Sequence, residues 1–340
     1  MALIKELNLR KSEIKEPIKT IYFGGGTPSI LSIKELDLLL KTIYANYQVI
    51  DKPEITLEAN PDDLSDKKII ALAKTNINRL SIGVQSFFDD DLQFMHRAHT
   101  AKEALKSLKT ATKYFENITI DLIYGVPNLS TQKWEKNLQI AFDLGINHIS
   151  SYALTIEVKT ALYQFIKKGK IKPLDEDKAL RHFEILLKET QKNNYVQYET
   201  SNFGKEGFFS KHNTSYWLGK NYLGIGPSAH SFNGKTRSWN VKNNTKYINA
   251  LENNILPSET EILSNNDLFN ETIMIGLRTI WGISLKDIET KFGKEKRDYL
   301  LLKIQKYMDN KTLKVENNTI TATQKGKFLI DGIASDLFVV

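Results

Sequence analysis

Five short apolar segments rich in β-branched residues recur along the first half of the chain, and each precedes a stretch with helical periodicity. They lie at residues 20–23, 55–58, 79–84, 118–124 and 148–154, and a sixth at 196–203 follows a longer helical stretch. Strand–helix units that repeat roughly every 25 to 50 residues are typical of a parallel sheet covered by helices. Five or six such units predict an α/β fold, with a partial barrel rather than a doubly wound sheet.

Polar side chains stand where these predicted strands end. They are Glu58, Gln85, Asp121 and the pair Tyr152-Ala153. Each alone could cap a helix or anchor a loop. In a βα barrel, however, the carboxyl ends of the strands form the ligand-binding face. Several consecutive strands that deliver such groups to one rim therefore predict a binding site there.

The first strand runs into a glycine-rich turn, Tyr22-Phe23-Gly24-Gly25-Gly26-Thr27-Pro28-Ser29. Glycines let the backbone approach a ligand without obstruction by Cβ, and Thr27 adds a hydroxyl. Alone, such a turn is also found in ordinary tight loops. Together with the other strand ends it predicts a ligand cradle.

The pattern changes after residue 235. Helical stretches at 266–278, 285–292 and 296–309 precede two short strands, 312–316 and 318–322, and an amphipathic run at 325–335. This order predicts a small winged-helix-like α+β domain over residues 236–340. Its third helix mixes lysine with acidic residues, which favours a docking role over DNA binding.

Composition narrows the classes of protein further. The net charge of +7 is dispersed among acidic residues, with a single basic cluster at 167–172, so nucleic acid is not the favoured partner. No apolar run is long enough for a transmembrane segment and the amino terminus lacks signal-peptide features, which predicts a cytoplasmic protein. The absence of cysteine excludes disulfides and metal sites built from this chain's thiolates.

Ordered motifs in the chain resemble a known family. They are Gly24-Gly25-Gly26-Thr27-Pro28, Glu58-Ala59-Asn60-Pro61, Gly83-Val84-Gln85-Ser86-Phe87 and Asp121-Leu122-Ile123-Tyr124-Gly125-Val126-Pro127. As a set they resemble radical S-adenosylmethionine (SAM) proteins related to oxygen-independent coproporphyrinogen III oxidase. The segments His212-Asn213-Thr214-Ser215-Tyr216-Trp217 and Tyr222-Leu223-Gly224-Ile225-Gly226-Pro227-Ser228-Ala229-His230-Ser231 are similar to the HemW heme-chaperone branch, and Gly276-Leu277-Arg278-Thr279 extends the likeness. The resemblance implies a partial (β/α)6 barrel over residues 1–235, ahead of the smaller domain.

The resemblance also implies a SAM site on the barrel rim. The turn Gly24, Gly25, Gly26 and Thr27 would meet the methionine amino group, and Glu58 would pair with that ammonium. By position, Gln85, Arg97 and Asp121 match contacts to the methionine carboxylate and the ribose. Ala153 matches the contact to the adenine edge.

The chain departs from the family at its start. Members carry a first strand and a Cys-x3-Cys-x2-Cys loop for a [4Fe–4S] cluster, whereas this sequence opens with a segment that resembles the following helix. Both the strand and the loop are missing, and we expect a misplaced start codon or a truncation. Without thiolates there is no cluster and no reductive cleavage of SAM, so a chaperone is favoured over a catalyst.

The resemblance of the segment at 212–217 to the HemW branch implies a heme site. The resemblance makes His212 the candidate iron ligand, and helical spacing would put Tyr216 on the same face. From spacing alone, His212 could equally hydrogen-bond within the barrel. His230 is a second candidate, and the remaining histidines are interpreted as structural or surface residues: His96, His99, His148 and His182.

The function so predicted is a heme chaperone that passes heme to respiratory proteins at the membrane surface. Two alternatives stay open: a coproporphyrinogen III dehydrogenase of porphyrin biosynthesis, and a nucleic-acid-binding protein.

Overall fold

A seven-stranded sheet organises the first two-thirds of the chain, in a computed structural model that describes residues 1–156, 161–169 and 173–339. Its strands are β1 (Ile18–Phe23), β2 (Val49–Ala59), β3 (Arg79–Gln85), β4 (Asn117–Tyr124), β5 (His148–Ala153), β6 (Val196–Gln197) and β7 (Asn202–Gly204). Their order in the sheet is β1-β2-β3-β4-β5-β7-β6, and β2 to β5 pair in parallel. The predicted α/β fold with a parallel central sheet is confirmed.

Helices follow these strands along the chain. They are α1 (Ala2–Leu9), α2 (Ile33–Asn46), α3 (Asp66–Leu72), α4 (Asp89–Phe94), α5 (Ala101–Ala111), α6 (Thr131–Asp143), α7 (Ala161–Lys167) and α8 (Glu176–Lys192). Side-chain caps fix where several begin: Ser65, Ser130 and Asp175 each accept a hydrogen bond from the backbone N–H three residues on. Thr100 and Glu103 form a complete capping box at α5.

The sixth apolar segment differs from the single strand expected at 196–203. It forms a hairpin in which β6 pairs antiparallel with β7, and β7 pairs antiparallel with β5. The chain reverses because the Tyr198 backbone N–H donates to the Asn202 carbonyl at 3.2 Å. The short turn between the two strands leaves no room for the crossover that a parallel strand requires.

Two small sheets organise the last third. One, with strand order β10-β9-β8, consists of β8 (His230–Phe232), β9 (Thr236–Asn240) and β10 (Ser258–Ile262), near α9 (Lys211–Trp217) and α10 (Asn244–Glu252) in sequence. The other, β11-β13-β12, consists of β11 (Ile283–Ser284), β12 (Leu313–Glu316) and β13 (Thr319–Ala322). Its helices are α11 (Asn265–Leu277), α12 (Leu285–Phe292), α13 (Lys294–Asp309), α14 (Gln324–Lys327) and α15 (Ile330–Asp336).

This last segment has the predicted winged-helix-like order of three helices and a hairpin. Phe269, Ile273, Ile304 and Ile320 are fully buried in its own apolar core. The final amphipathic run is two helices rather than one, since the chain breaks between α14 and α15 at Leu329.

The chain divides into two compact units whose segments interleave. One comprises Met1–Ile21, Lys34–Pro53 and Ser210–Val340, and the other comprises Tyr22–Ile33 and Glu54–Phe209. The domain boundary expected at residue 235 stays a prediction. Residues 170–172 of the basic cluster lie outside the described residues. Within the described ranges, none of the helices combines the length and apolar character needed to cross a bilayer.

Candidate functional site

The glycine turn after β1 requires glycine at each position. A Cβ on Gly24 would come within 2.4 Å of the Tyr22 ring. Gly25 and Gly26 have φ values of 72° and 62°, in the left-handed region that favours glycine. The turn therefore takes a path that other residues would strain, and it leads into a single 3-10 turn at Pro28–Ile30.

Glu58 receives two hydrogen bonds near the end of β2. The Tyr22 hydroxyl donates to Oε1 at 2.6 Å, and the Gly25 backbone N–H donates to Oε2 at 3.1 Å. Burial and the nearby Glu58 charge both raise the pKa of Tyr22, so this phenol stays a donor at neutral pH. The carboxylate of Glu58 is thus held in one orientation by β1 and its turn.

Gln85 ends β3 in an unusual conformation. Its φ is 65°, a left-handed value that is uncommon for residues other than glycine. The side chain is 7% exposed, and its Oε1 is buried with no hydrogen-bond partner among the described residues. An unpaired buried acceptor is costly, and it points to a donor supplied by a ligand.

Arg97 follows α4 and reaches back to the ends of β2 and β3. Its Nη2 donates to Asn60 Oδ1 at 2.9 Å and to the Gly83 carbonyl at 3.4 Å. Both acceptors are neutral. The guanidinium is therefore oriented without being neutralised by these contacts.

Asp121 on β4 is the most perturbed carboxyl of this region. Burial raises its pKa to about 7, and the charge of Glu58 adds to the rise. Arg79 and a hydrogen bond with Tyr152 act in the opposite direction. Near neutral pH this group therefore exists in both protonation states.

These side chains line one open cleft of about 140 Å³, within the second of the two units. Of the residues predicted for the site, the cleft brings together Gly26, Thr27, Glu58, Gln85, Arg97 and Asp121. Gly24 and Gly25 lie in the same turn but do not line the cleft, although Gly25 contacts Glu58. Ala153 is also not a lining residue. It lies at the end of β5, in register with Tyr124.

Three residues of this region were assigned no ligand contact from the sequence. Tyr22 and Tyr152 hydrogen-bond the two carboxylates, and Asn60 holds Arg97. Asn60 carried a signal, because it stands in the quoted motif directly after β2. Tyr152 was named at a strand end and Tyr22 in the glycine turn, but alternation along a strand does not distinguish a site residue from a core residue.

His212, the candidate heme ligand, lies on α9 in the first unit. Its Nδ1 is 3.1 Å from Thr20 Oγ1, and its ring meets the edge of the Tyr216 ring at 4.9 Å between centroids. Helical spacing therefore places His212 and Tyr216 together, as predicted. Tyr216 in turn packs on Tyr222 at 4.4 Å, and Tyr222 is 6.1 Å from Phe232. His230 is exposed and faces Trp239 at 6.2 Å.

Three of the other histidines have structural contacts. His99 and His148 are buried against a carbonyl and a tyrosine hydroxyl, and burial lowers the pKa of each. Burial lowers the pKa of His182 to about 4, and its Nδ1 accepts from the Gly125 N–H. His96 is exposed in a turn. Among the described residues no cluster of three His, Cys, Asp or Glu side chains could hold a metal ion, and a thiolate-bound cluster does not fit a chain without cysteine.

Family models match both halves of the chain. The model described as the radical SAM superfamily matches residues 3–141, and the one described as the HemN C-terminal domain matches residues 263–329. Among solved structures, coproporphyrinogen III oxidase (HemN) from Escherichia coli aligns with a TM-score of 0.83 at 21% identity, covering 99% of this chain and 82% of that one. At that identity the likeness shows the fold alone.

Curated relatives extend over nearly the whole chain. Heme chaperone HemW from Bacillus subtilis is 35% identical over 92% of this chain and 83% of its own length. The protein of that name from Lactococcus lactis is 35% identical over 94% and 86%, respectively. A mitochondrial radical S-adenosyl methionine domain-containing protein 1 from Dictyostelium discoideum is 32% identical over 98% and 84%. With this identity and coverage, the chain belongs to the HemW family of the radical SAM superfamily.

Proposed function

We propose that this protein is a heme chaperone that binds SAM and heme and passes heme to respiratory-chain proteins. The names of the HemW relatives support the heme part. The observation that carries the SAM part is the convergence of one arginine, two carboxylates and an unpaired amide oxygen on a single cleft. The proposal keeps the cytoplasmic location expected from the sequence, with transfer at the membrane surface.

The charges of the cleft complement those of SAM. The ligand carries an ammonium, a sulfonium and a carboxylate, so its net charge is positive. In this proposal Glu58 pairs with the ammonium and Arg97 with the carboxylate. Because Tyr22 and the Gly25 amide already orient Glu58, little side-chain freedom would be lost on binding.

The nucleoside part would use the remaining polar groups. Asp121 and the buried Gln85 Oε1 are acceptors suited to ribose hydroxyls, and Ala153 at the end of β5 would contact the adenine edge. The residues present thus fit SAM as a ligand.

The heme part of the proposal rests on α9. His212 would ligate the iron, and the contact of its Nδ1 with Thr20 Oγ1 would fix the orientation of the imidazole. The aromatic rings of Tyr216 and Tyr222 would offer apolar surface to the macrocycle. The porphyrin macrocycle would supply the strong Soret absorption, and ligation of its iron by the protein would shift that band.

The [4Fe–4S] cluster of the superfamily is not part of this proposal. It needs thiolates that this sequence lacks, so no cleavage of SAM is derived for the chain. The role proposed for SAM is that of a bound ligand.

Replacing His212 with alanine should abolish stoichiometric heme binding, because the iron would lose its protein ligand. The measurement is a heme titration followed at the Soret band, and then mixing of the loaded protein with an apo-cytochrome to follow transfer. His230→Ala is the matched control, because His230 also adjoins an aromatic ring and was the second candidate. Loss of the band in His230→Ala with retention in His212→Ala would reverse the assignment.

The affinity for SAM should rise with pH between about pH 6 and pH 8. The pKa of Asp121 is about 7, and a cationic ligand favours its charged form, so binding releases a proton. Calorimetric titrations across this range should show a rise of about three- to tenfold that levels off above the pKa. Asp121→Asn should flatten the profile. A falling affinity, or an unchanged slope in that variant, would contradict the assignment.

A further inference from the structure

We propose that Asn60, held in place by Ser29, is a positioning residue that aims Arg97 at the carboxylate of the ligand. The inference rests on the proposed SAM site and assigns a role to two further residues of the cleft, Asn60 and Ser29. Both line the cleft, but the role of Asn60 is exerted through another side chain.

An arginine needs external contacts to present its guanidinium in one direction. A long arginine side chain loses about 2 kcal/mol of rotamer entropy when it is fixed. Here a single nitrogen, Nη2 of Arg97, donates to Asn60 Oδ1 at 2.9 Å and to the Gly83 carbonyl at 3.4 Å. Among the described residues, the other guanidinium nitrogens of Arg97 have no hydrogen-bond partner. Arg97 is thus already partly ordered before the ligand carboxylate binds, which reduces the side-chain entropy lost on binding.

Asn60 is itself fixed from two directions. Its backbone N–H donates to Ser29 Oγ at 3.4 Å, and the Ser29 hydroxyl donates to Asp63 Oδ2 at 2.6 Å. Ser29 is only 2% exposed. Pro61 follows directly, and a residue before proline is confined to extended conformations, as the φ of −91° and ψ of 147° at Asn60 show.

These hydrogen bonds join three separate loops of the rim. Ser29 belongs to the glycine turn after β1, Asn60 and Asp63 follow β2, and Arg97 follows α4. The turn assigned to the ammonium is thereby connected to the arginine assigned to the carboxylate. The ammonium and the carboxylate of the ligand would thus be bound by loops that are hydrogen-bonded to one another.

Gly83 leaves the space that this arrangement needs. A Cβ at this position would lie 3.2 Å from Arg97 Nη2 and 3.0 Å from Gln85 Nε2. Because glycine has no Cβ, the guanidinium can lie close to the backbone of β3, and a Cβ here would displace these two side-chain ends by a few tenths of an ångström. The close approach supports a fixed position for Arg97 rather than a mobile one.

The test compares SAM with two ligands that lack the carboxylate that Arg97 would bind. Calorimetric affinities are measured for SAM, for decarboxylated SAM and for 5′-methylthioadenosine, with the full chain and with Asn60→Ala. We expect Asn60→Ala to lower the affinity for SAM about tenfold and to leave the affinities for the two ligands without a carboxylate unchanged. Asn193→Ala is the matched control, since it also removes an asparagine hydrogen bond, of 2.8 Å, outside the cleft.

A second pair of variants keeps the inference falsifiable if Asn60→Ala folds poorly. Asn60→Asp preserves side-chain size and the acceptor but places a negative charge next to Arg97. It should therefore lower the affinity for SAM and leave the affinity for decarboxylated SAM unchanged. In an Arg97→Ala background, Asn60→Ala should cause no further loss of SAM affinity, because its partner is gone.

The outcomes separate the inference from the proposal on which it rests. Equal weakening of all three ligands, or additive losses with Arg97→Ala, would overturn the positioning role while leaving the SAM site in place. Failure of the unsubstituted protein to bind SAM at all would overturn both.

Discussion

Replacing Glu58 with glutamine should weaken SAM binding about 100-fold, the largest effect expected of any single change in the cleft. The carboxylate is the group assigned to the ligand ammonium, and its orientation is fixed by Tyr22 and the Gly25 amide. Glutamine keeps the size and one acceptor oxygen but loses the charge. Its NH2 group would replace either the oxygen that accepts from Tyr22 or the oxygen that accepts from the Gly25 N–H, and the ammonium of the ligand cannot accept a hydrogen bond from it.

Calorimetric or equilibrium-dialysis measurement of the SAM dissociation constant checks this expectation. Glu135→Gln, at an exposed position of α6, makes the same chemical change outside the cleft and should leave the affinity within about twofold. Circular dichroism of both variants establishes that the fold is intact. Near-equal affinities for the two variants would remove Glu58 from the ammonium site.

The sequence was sufficient to predict the sheet and its rim because both follow from local patterns. Strand segments rich in β-branched residues gave β1 to β5, and the polar residues after them fell at the carboxyl ends of parallel strands. Thr27, Glu58, Gln85 and Asp121 meet in one cleft because they lie at or near the ends of these strands, and Arg97 reaches it from the segment after α4.

What the sequence left undetermined depends on contacts between distant residues. The hairpin at β6 and β7 arises from a turn that the apolar pattern at 196–203 does not mark. The bond from Arg97 to Asn60 joins residues 37 positions apart, and no periodicity encodes it. The same is true of the pKa of Asp121, which results from burial and from the carboxylate of Glu58, two strands away in the sheet.

The first helix offers the clearest case of such long-range dependence. The side chain of Glu6 is fully buried. Its Oε1 accepts hydrogen bonds from Arg10 and Asn240. Its Oε2 accepts hydrogen bonds from the Gly226 N–H and the Tyr247 hydroxyl. Arg10 also donates to the Gly224 carbonyl and the Ser231 hydroxyl. The amino-terminal helix is thus bonded to segments more than 200 residues away, all within the first unit.

Replacing Glu6 with alanine should lower the free energy of unfolding of this unit by about 3 to 5 kcal/mol. The change leaves the buried Arg10 with one fewer counter-charge. It also leaves the donors of Tyr247, Asn240 and Gly226 without the acceptor that Glu6 provides. Urea denaturation measures the loss, and hydrogen exchange should reveal faster opening at Gly226.

Glu13→Ala is the matched control, because Glu13 pairs with the same arginine at 2.8 Å but is 41% exposed. It should cost less than about 1 kcal/mol, as solvent-exposed ion pairs do. The double replacement Glu6→Leu with Arg10→Met removes both buried charges, so it should cost less than Glu6→Ala alone if unpaired burial is the cause. Equal losses for Glu6→Ala and Glu13→Ala would mean that the network adds nothing beyond an ordinary surface pair, and that another contact holds the first helix against the segment at 224–247.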